Sequence, residues 1–402
     1  MPILKILIVL ILFFLPFGEI IRIDLGNNIY VKPIDCLAAL LMFAVIWFFI
    51  THKNFRSSLK WHLLLFPCIG FLSLLLNSLW LHPNELITAS FYLIRWIGYA
   101  SIFPALKHLD EHFKKRISTF LLIDGFILLV IGYFQFFLYP NLKNLYYLGW
   151  DEHMYRLFTS FLDPNFAGAF FVLYFLFVMG LFSQKQKHMT KKAFILWILL
   201  LFMTLIAIFL TYSRSALIML IVSGITFFLL LQKKKLIFLL LALIGAFVII
   251  ISPFFYVENI NLFRIKSSLS RLEAYDHASI VIRDHPIFGV GFNAYRYAQE
   301  RYKFNPRDKY PSHSEAGVDS SLLFVFATTG VGGLCAYLFL WWKLILQMKT
   351  CAIKQKNIFS ITFLASTAGI FVNSLFINSL FFPAIMLWFW VLLGLASNKT
   401  DE

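Results

Sequence analysis

The chain has 402 residues, of which 60% are hydrophobic and 14% charged, with a mean hydropathy of +0.79 and a formal charge of +15. That balance excludes a soluble protein of this length and predicts an all-α, polytopic transmembrane helical bundle. The basic excess is expected in cytoplasmic loops rather than at a nucleic-acid surface, and the four scattered cysteines show no disulfide or metal-binding spacing.

Runs close to the ~20 apolar residues needed to cross a bilayer predict about twelve spans: 3–18, 34–51, 61–80, 86–106, 117–139, 165–183, 193–211, 215–231, 236–254, 321–342, 357–377 and 380–397. The first run follows Lys5 as in a weak signal peptide, but it lacks a small-residue cleavage site and is read as a retained helix. With the N-terminus in the cytoplasm, the alternate segments on that side hold twenty Lys and Arg, against five in the five short outer loops. Positive charge collects on the cytoplasmic side, so both termini are expected there. Residues 1–402 are expected to form one integral membrane domain, with 255–320 a large, partly helical extracytoplasmic loop between spans nine and ten.

That loop carries nine Lys and Arg although it lies outside. Arginine-rich polypeptide pressed against a bilayer suits an anionic, lipid-borne head group. Within the loop, Ser270-Arg271-Leu272-Glu273 has the spacing of a capping box and predicts a helix to about Asp284 that places Arg271 at its first residue. Tyr275, Ala278 and Ile282 then form one stripe facing the membrane domain. His285 to Asn293 reads as a tight turn whose Gly289 and Gly291 allow positive φ or close backbone approach.

Other candidates lie on the spans and the loops joining them. Arg214 follows the break Thr211-Tyr212-Ser213 and is expected at a helix start, where free backbone N–H groups also favour an anion. Arg95 sits within span four, where a guanidinium needs a polar cavity, an anion or an acid such as Asp124. The loop 140–165 adds Asp151, Glu152, His153 and Arg156, and then Asp163-Pro164-Asn165, which reads as an N-cap followed by N1. His313 and Asp319 are the candidate bases for a sugar hydroxyl. Asp319 also suits the N-cap of span ten.

Taken in order, Arg156 with Asp163-Pro164-Asn165, then Thr211 to Ala216, then Arg271 ahead of His285 to Asn293, then Asp319-Ser320-Ser321-Leu322 before Gly330-Val331-Gly332, the chain resembles the bacterial O-antigen ligase/polymerase superfamily. The motifs cover residues 150–345. The resemblance implies a membrane glycosyltransferase of the GT-C type, with no metal or other cofactor, on the outer face of the bacterial cytoplasmic membrane. Its donor would be a glycan on undecaprenyl diphosphate, and its acceptor another glycan, a lipid A core sugar or a protein hydroxyl, with membrane lipids around it. Carried over by position, Arg214 and Arg271 would grip the diphosphate with help from Arg95. Asp319 or His313 would be the base, and Arg156, Asn165, Tyr212, Ser213 and Asn293 would support the site. Ligases of this kind usually carry His eleven residues before the Gly-x-x-Gly turn, where this chain has Asp319. The competing expectation is a lipid-linked glycan flippase or other secondary transporter, although the two halves of the chain do not resemble each other.

Overall fold

The structure is a computed structural model that describes residues 1–26, 29–52, 61–254, 261–262, 266–304 and 317–397. Among these, the helices in chain order are α1 (Pro2–Phe14), α2 (Pro33–Thr51), α3 (His62–Leu76), α4 (Pro83–Ala100), α5 (Ile102–Lys107), α6 (Glu111–Leu138), α7 (Pro164–Lys185) and α8 (Lys191–Leu210). They continue with α9 (Arg214–Leu230), α10 (Lys234–Ile251), α11 (Lys266–Asp284), α12 (Tyr295–Tyr302), α13 (Ser321–Gln355), α14 (Ile358–Asn373) and α15 (Pro383–Ala396). A short antiparallel ribbon, β1 (Ile23–Asp24) against β2 (Tyr30–Val31), precedes α2. Among the described residues, seven helical stretches are long and apolar enough to cross a membrane, and α1, α3, α9, α14 and α15 are shorter apolar helices. Each apolar run read from the sequence falls on one of these, and the chain is an all-α, multi-pass membrane protein.

Burial sorts the helices into centre and rim. α7 and α15 are buried around nearly their whole circumference, as expected of helices apolar on every face. Trp388 of α15 meets Phe170 and Phe177 of α7 edge-on, with ring centroids 5.1 and 5.4 Å apart. In α10 only Leu240 and Ile244 are buried, so most of its apolar surface faces outward.

One run that is continuous in composition is broken in space. Span ten becomes α13, which reaches Gln355 and is interrupted at Gly330 (φ 68, ψ −171). The break frees backbone groups that the turn after α11 takes up. Val290 N donates to Ala327 O at 3.0 Å, Gly291 N to Thr328 O at 3.1 Å, and Val331 N to Pro286 O at 2.9 Å. From α3, Ser73 Oγ reaches Phe288 O and Thr328 O at 2.6 and 2.8 Å, and Asn77 Nδ2 donates to Gly289 O at 3.1 Å. The contact is between backbones: a Cβ on Gly330 would lie 2.1 Å from Ile287 O, and one on Gly289 (φ 65) 2.4 Å from the Thr328 carbonyl carbon. Only glycine fits at either place.

This clasp anchors α11. Ala278 and Val281 are buried, and Tyr275 and Ile282 partly so, in a cluster with Phe324 and Ala327 of α13, so the expected stripe does face the membrane domain. The expected helix start is wrong. α11 already runs from Lys266, so Ser270 lies inside it and Arg271 sits in its second turn, away from the free N–H groups of a helix end. The Ser-x-x-Glu spacing marks a start only when the residues before it are not helical, and here they are. The cap of α13 likewise shifts by one residue: Ser320 Oγ accepts from Leu323 N at 3.4 Å, which leaves the Asp319 carboxylate for other partners.

Arg95 is paired by Asp35 rather than Asp124. Its Nη2 donates to Asp35 Oδ2 at 2.7 Å and to Tyr30 O at 3.2 Å, and Tyr99 Oη donates to Asp35 Oδ1 at 2.7 Å. Gly98 of α4 packs on the Ala38 backbone of α2, which brings the first turn of α2 level with Arg95. Hydropathy fixes the length of each span but not the offset between neighbours.

Candidate active site

The connection between α8 and α9 forms the first wall. Tyr212, buried and with φ 47, reverses the chain, and Ser213 Oγ caps α9 by accepting from Ala216 N at 3.4 Å. Arg214 is therefore the first residue of α9, as its sequence context predicts, and its guanidinium shares that helix end with free N–H groups. Behind it, buried Arg156 donates from Nε to Thr211 O at 2.8 Å and from Nη2 to Asn165 Oδ1 at 3.2 Å. Ser213 Oγ donates to the same Asn165 Oδ1 at 3.0 Å. Asn165 is held in the first turn of α7, which Asp163 caps through Asn165 N at 2.6 Å and Phe166 N at 3.3 Å, with Pro164 at N1 as predicted. Arg156, Asn165 and Ser213 are thus bonded into one group that fixes the α9 terminus.

The second wall is α11. Arg214 Nη1 donates to Ser268 Oγ at 3.1 Å, and Arg271, one turn further along, lies near enough for the two guanidinium groups to repel. Arg271 Nε stands 4.0 Å from Asp319 Oδ2. The Asp319 side chain is 41% exposed, open enough to meet a substrate. Burial pushes its carboxyl above the usual carboxylate range, Arg271 opposes that shift, and the like charge of Asp163 adds to it. Tyr275 Oη donates to Asp319 O at 3.4 Å and also bonds Leu375 O, tying α11 to the start of α13 and to the turn after α14.

The arrangement has a chemical meaning. Two guanidinium groups close enough to repel favour an anion between them, and the planar fork of arginine matches phosphate oxygens. A carboxylate beside them with a raised proton affinity is suited to accept a proton.

The remaining candidates fall elsewhere. Arg95 is engaged by Asp35, Tyr30 and the Tyr92 ring, groups belonging to α2, β2 and α4. Asn293 takes φ 58 at the end of the turn that clasps α13. His313 lies outside the described residues. Sequence reasoning passed over Ser268 and the approach of Asp163 to Asp319, and it saw Tyr275 only as part of an apolar stripe. One missed feature had a visible signal: Ser73 and Asn77 are a polar pair four residues apart at the end of an apolar run, hence on one helix face.

Residues 198–338, about a third of the chain, match the family model for O-antigen ligase. The matched segment contains Arg214, Arg271, Asp319 and both halves of the glycine clasp, whereas Arg95, His153, Arg156, Asp163 and Asn165 lie before it. None of the curated proteins matches the chain. Over residues 198–338 this multi-pass membrane protein therefore carries an O-antigen ligase family domain.

Proposed function

We propose that the chain is a glycosyltransferase that moves a glycan from undecaprenyl diphosphate to an acceptor hydroxyl, as an O-antigen ligase or a surface-polysaccharide polymerase. In this reading it crosses the bacterial cytoplasmic membrane twelve times with both termini inside, and residues 255–320 form the catalytic loop on the outer face. The observation that supports the proposal is the bond of Arg214 to Ser268 on α11, one turn before Arg271, with Asp319 Oδ2 4.0 Å from Arg271 Nε.

The diphosphate binds between the two guanidinium groups, with its polyprenyl tail in the bilayer. As the anomeric C–O bond breaks, its electron pair passes to the phosphate oxygen, and cations already in place stabilise that charge without reorganising. Asp319 takes the proton of the acceptor hydroxyl as its oxygen attacks the anomeric carbon from the opposite face. A single displacement of this kind inverts the configuration. Arg156, Asn165, Tyr212 and Ser213 hold the end of α9 in position. Arg95, already neutralised by Asp35, serves packing in this scheme, and His313 is the second candidate base.

The test is transfer from a lipid-linked oligosaccharide by the purified protein. A ladder of products identifies a polymerase and a single addition a ligase. Movement of the intact lipid-linked glycan across vesicles with no transfer identifies a transporter and sinks the proposal. Asp319→Asn is expected to reduce turnover more than His313→Ala, and the reverse order moves the base to His313.

A further inference from the structure

The turn joining α14 to α15 carries buried polar side chains that the scheme above does not use. Asn373, the last residue of α14, is fully buried, and neither polar atom of its amide is bonded among the described residues. The same holds for Ser379 Oγ, also fully buried, and for Asn378 Oδ1. A buried amide with no bond made is costly, and leucine would fill its place without that cost, so packing does not explain the residue. The turn is fixed between parts of the site. Ser321 N donates to Ser374 O at 2.8 Å and Leu380 N to Ser321 Oγ at 3.1 Å, which joins it to the start of α13 just after Asp319. On its other side Phe382 stacks on Phe166 of α7, next to Asn165, with ring centroids 4.2 Å apart. Helix packing gives the direction of Asn373. α11 meets the start of α9 through Arg214 and Ser268, and the turn at the end of α14 through Tyr275 and Leu375 O, so α9 and α14 run antiparallel. A Cβ on Gly369 would lie 2.7 Å from Ser223 Cβ and 3.0 Å from Met219 O, so that face of α14 rests on α9. Asn373 is one turn further along the same face, level with the first turn of α9, where Ser213 Oγ and Ser215 Oγ are bonded at 3.1 Å.

We infer that Asn373, Asn378 and Ser379 form the subsite for the sugar bonded to the diphosphate and so help to set which donor is used. This rests on the reading of Arg214 and Arg271 as the diphosphate grip and Asp319 as the base. In a single displacement the anomeric carbon lies between the departing phosphate oxygen and the acceptor hydroxyl. The ring that carries it must therefore sit between the guanidinium groups and Asp319. The unbonded side chains lie along that interval: Asn373 faces the start of α9, and Asn378 and Ser379 follow in the turn bonded to Ser321. Their chemistry fits a sugar. An amide offers donors and an acceptor side by side, which suits neighbouring ring hydroxyls that each donate and accept, and a serine hydroxyl does the same on a smaller scale. All three are uncharged, as suits neutral hydroxyls next to a phosphate whose charge the arginines take. A site built to bond hydroxyls rejects a ligand that lacks them, because its own polar groups then stay unpaired. The three residues lie beyond residue 338, so the subsite is a property of this chain outside the matched domain.

The test uses the full-length protein in lipid nanodiscs and reads binding, so that it does not depend on an acceptor. The probes are undecaprenyl diphosphate alone and the same lipid carrying glucose, galactose or N-acetylglucosamine. The wild type is expected to bind at least one sugar-bearing lipid about tenfold more tightly than undecaprenyl diphosphate. Asn373→Leu is expected to lower that preference by about tenfold and Ser379→Ala by about threefold, each with undecaprenyl diphosphate bound as by the wild type. Because leucine leaves no amide unbonded, Asn373→Leu should also melt no lower than the wild type. No preference for any of the sugars in the wild type, or a preference that survives both substitutions, overturns the inference. A lower melting temperature for Asn373→Leu with the preference intact assigns the amide to a structural water and overturns it as well. Should Asn373→Leu fold poorly, Ser379→Ala and Asn378→Ala decide by the same binding measurement. The two readings fail separately. If Arg214→Ala loses undecaprenyl diphosphate while the wild type shows no sugar preference, the diphosphate site stands and the subsite falls. If Arg214→Ala and Arg271→Ala bind undecaprenyl diphosphate like the wild type while the sugar preference depends on Asn373, the subsite stands and the diphosphate site falls.

Discussion

Replacing Arg271 by alanine removes two things at once, one half of the guanidinium pair and the cation opposite Asp319. The second loss can be sized from the geometry. Unit charges at the 4.0 Å separation of Arg271 Nε and Asp319 Oδ2 attract by roughly 4 kcal/mol at an effective dielectric of about 20. The 41% exposure of Asp319 brings solvent screening that reduces this to about 1–2 kcal/mol, or about one pH unit. The sign follows from the surroundings. Burial and Asp163 raise the Asp319 carboxyl and Arg271 opposes them, so its removal raises the carboxyl further. A base must be deprotonated to act, so the acid limb of activity moves to higher pH. The first loss acts at every pH: withdrawing one preorganised donor from a developing oxyanion costs about 10²–10³ in rate. The assay is transfer from a lipid-linked oligosaccharide across a pH series, with Arg271→Lys as comparison. Lysine keeps the charge and so should keep the limb near its wild-type position, while losing the two-pronged grip on phosphate. Wild-type activity of Arg271→Ala at every pH would refute the reasoning.

Two further predictions concern the frame around the site. Gly330→Ala is expected to destabilise the protein by about 2–4 kcal/mol, because its φ of 68 is left-handed and its Cβ would collide with Ile287 O. Gly332→Ala, whose Cβ would meet nothing nearer than Ile287 O at 4.0 Å, should melt like the wild type in detergent, and equal melting of the two variants would remove the clasp as the explanation. For the partly buried pair on α2 and α4, Asp35→Asn is expected to cost about 2–3 kcal/mol by stranding Arg95, and Asp35→Asn with Arg95→Met should recover part of it. The folded double variant should transfer glycan at the wild-type rate, and loss of transfer would return Arg95 to the diphosphate site.

Composition and hydropathy determine much of this protein on their own. Twelve apolar runs give the helices because a bilayer admits few other structures, and the helix starts at Pro164 and Arg214 are legible because caps are local chemistry, as with Asp163 before proline. Gly289 and Gly291 announce positive φ or close backbone approach without naming the partner, which is the break at Gly330. What lay beyond the sequence was any quantity set by the offset between helices far apart in the chain. Asp35 rather than Asp124 reaches Arg95 because α2 and α4 meet at Ala38 and Gly98. Arg271 comes beside Arg214 from the second turn of α11, not from a helix start. Asp163, a helix cap by its local sequence, bears on the Asp319 carboxyl only because the fold brings two distant parts of the chain within electrostatic reach. Capping and hydropathy act over a few residues and can be read along the chain, whereas the field at a carboxylate sums over charges that only packing brings near.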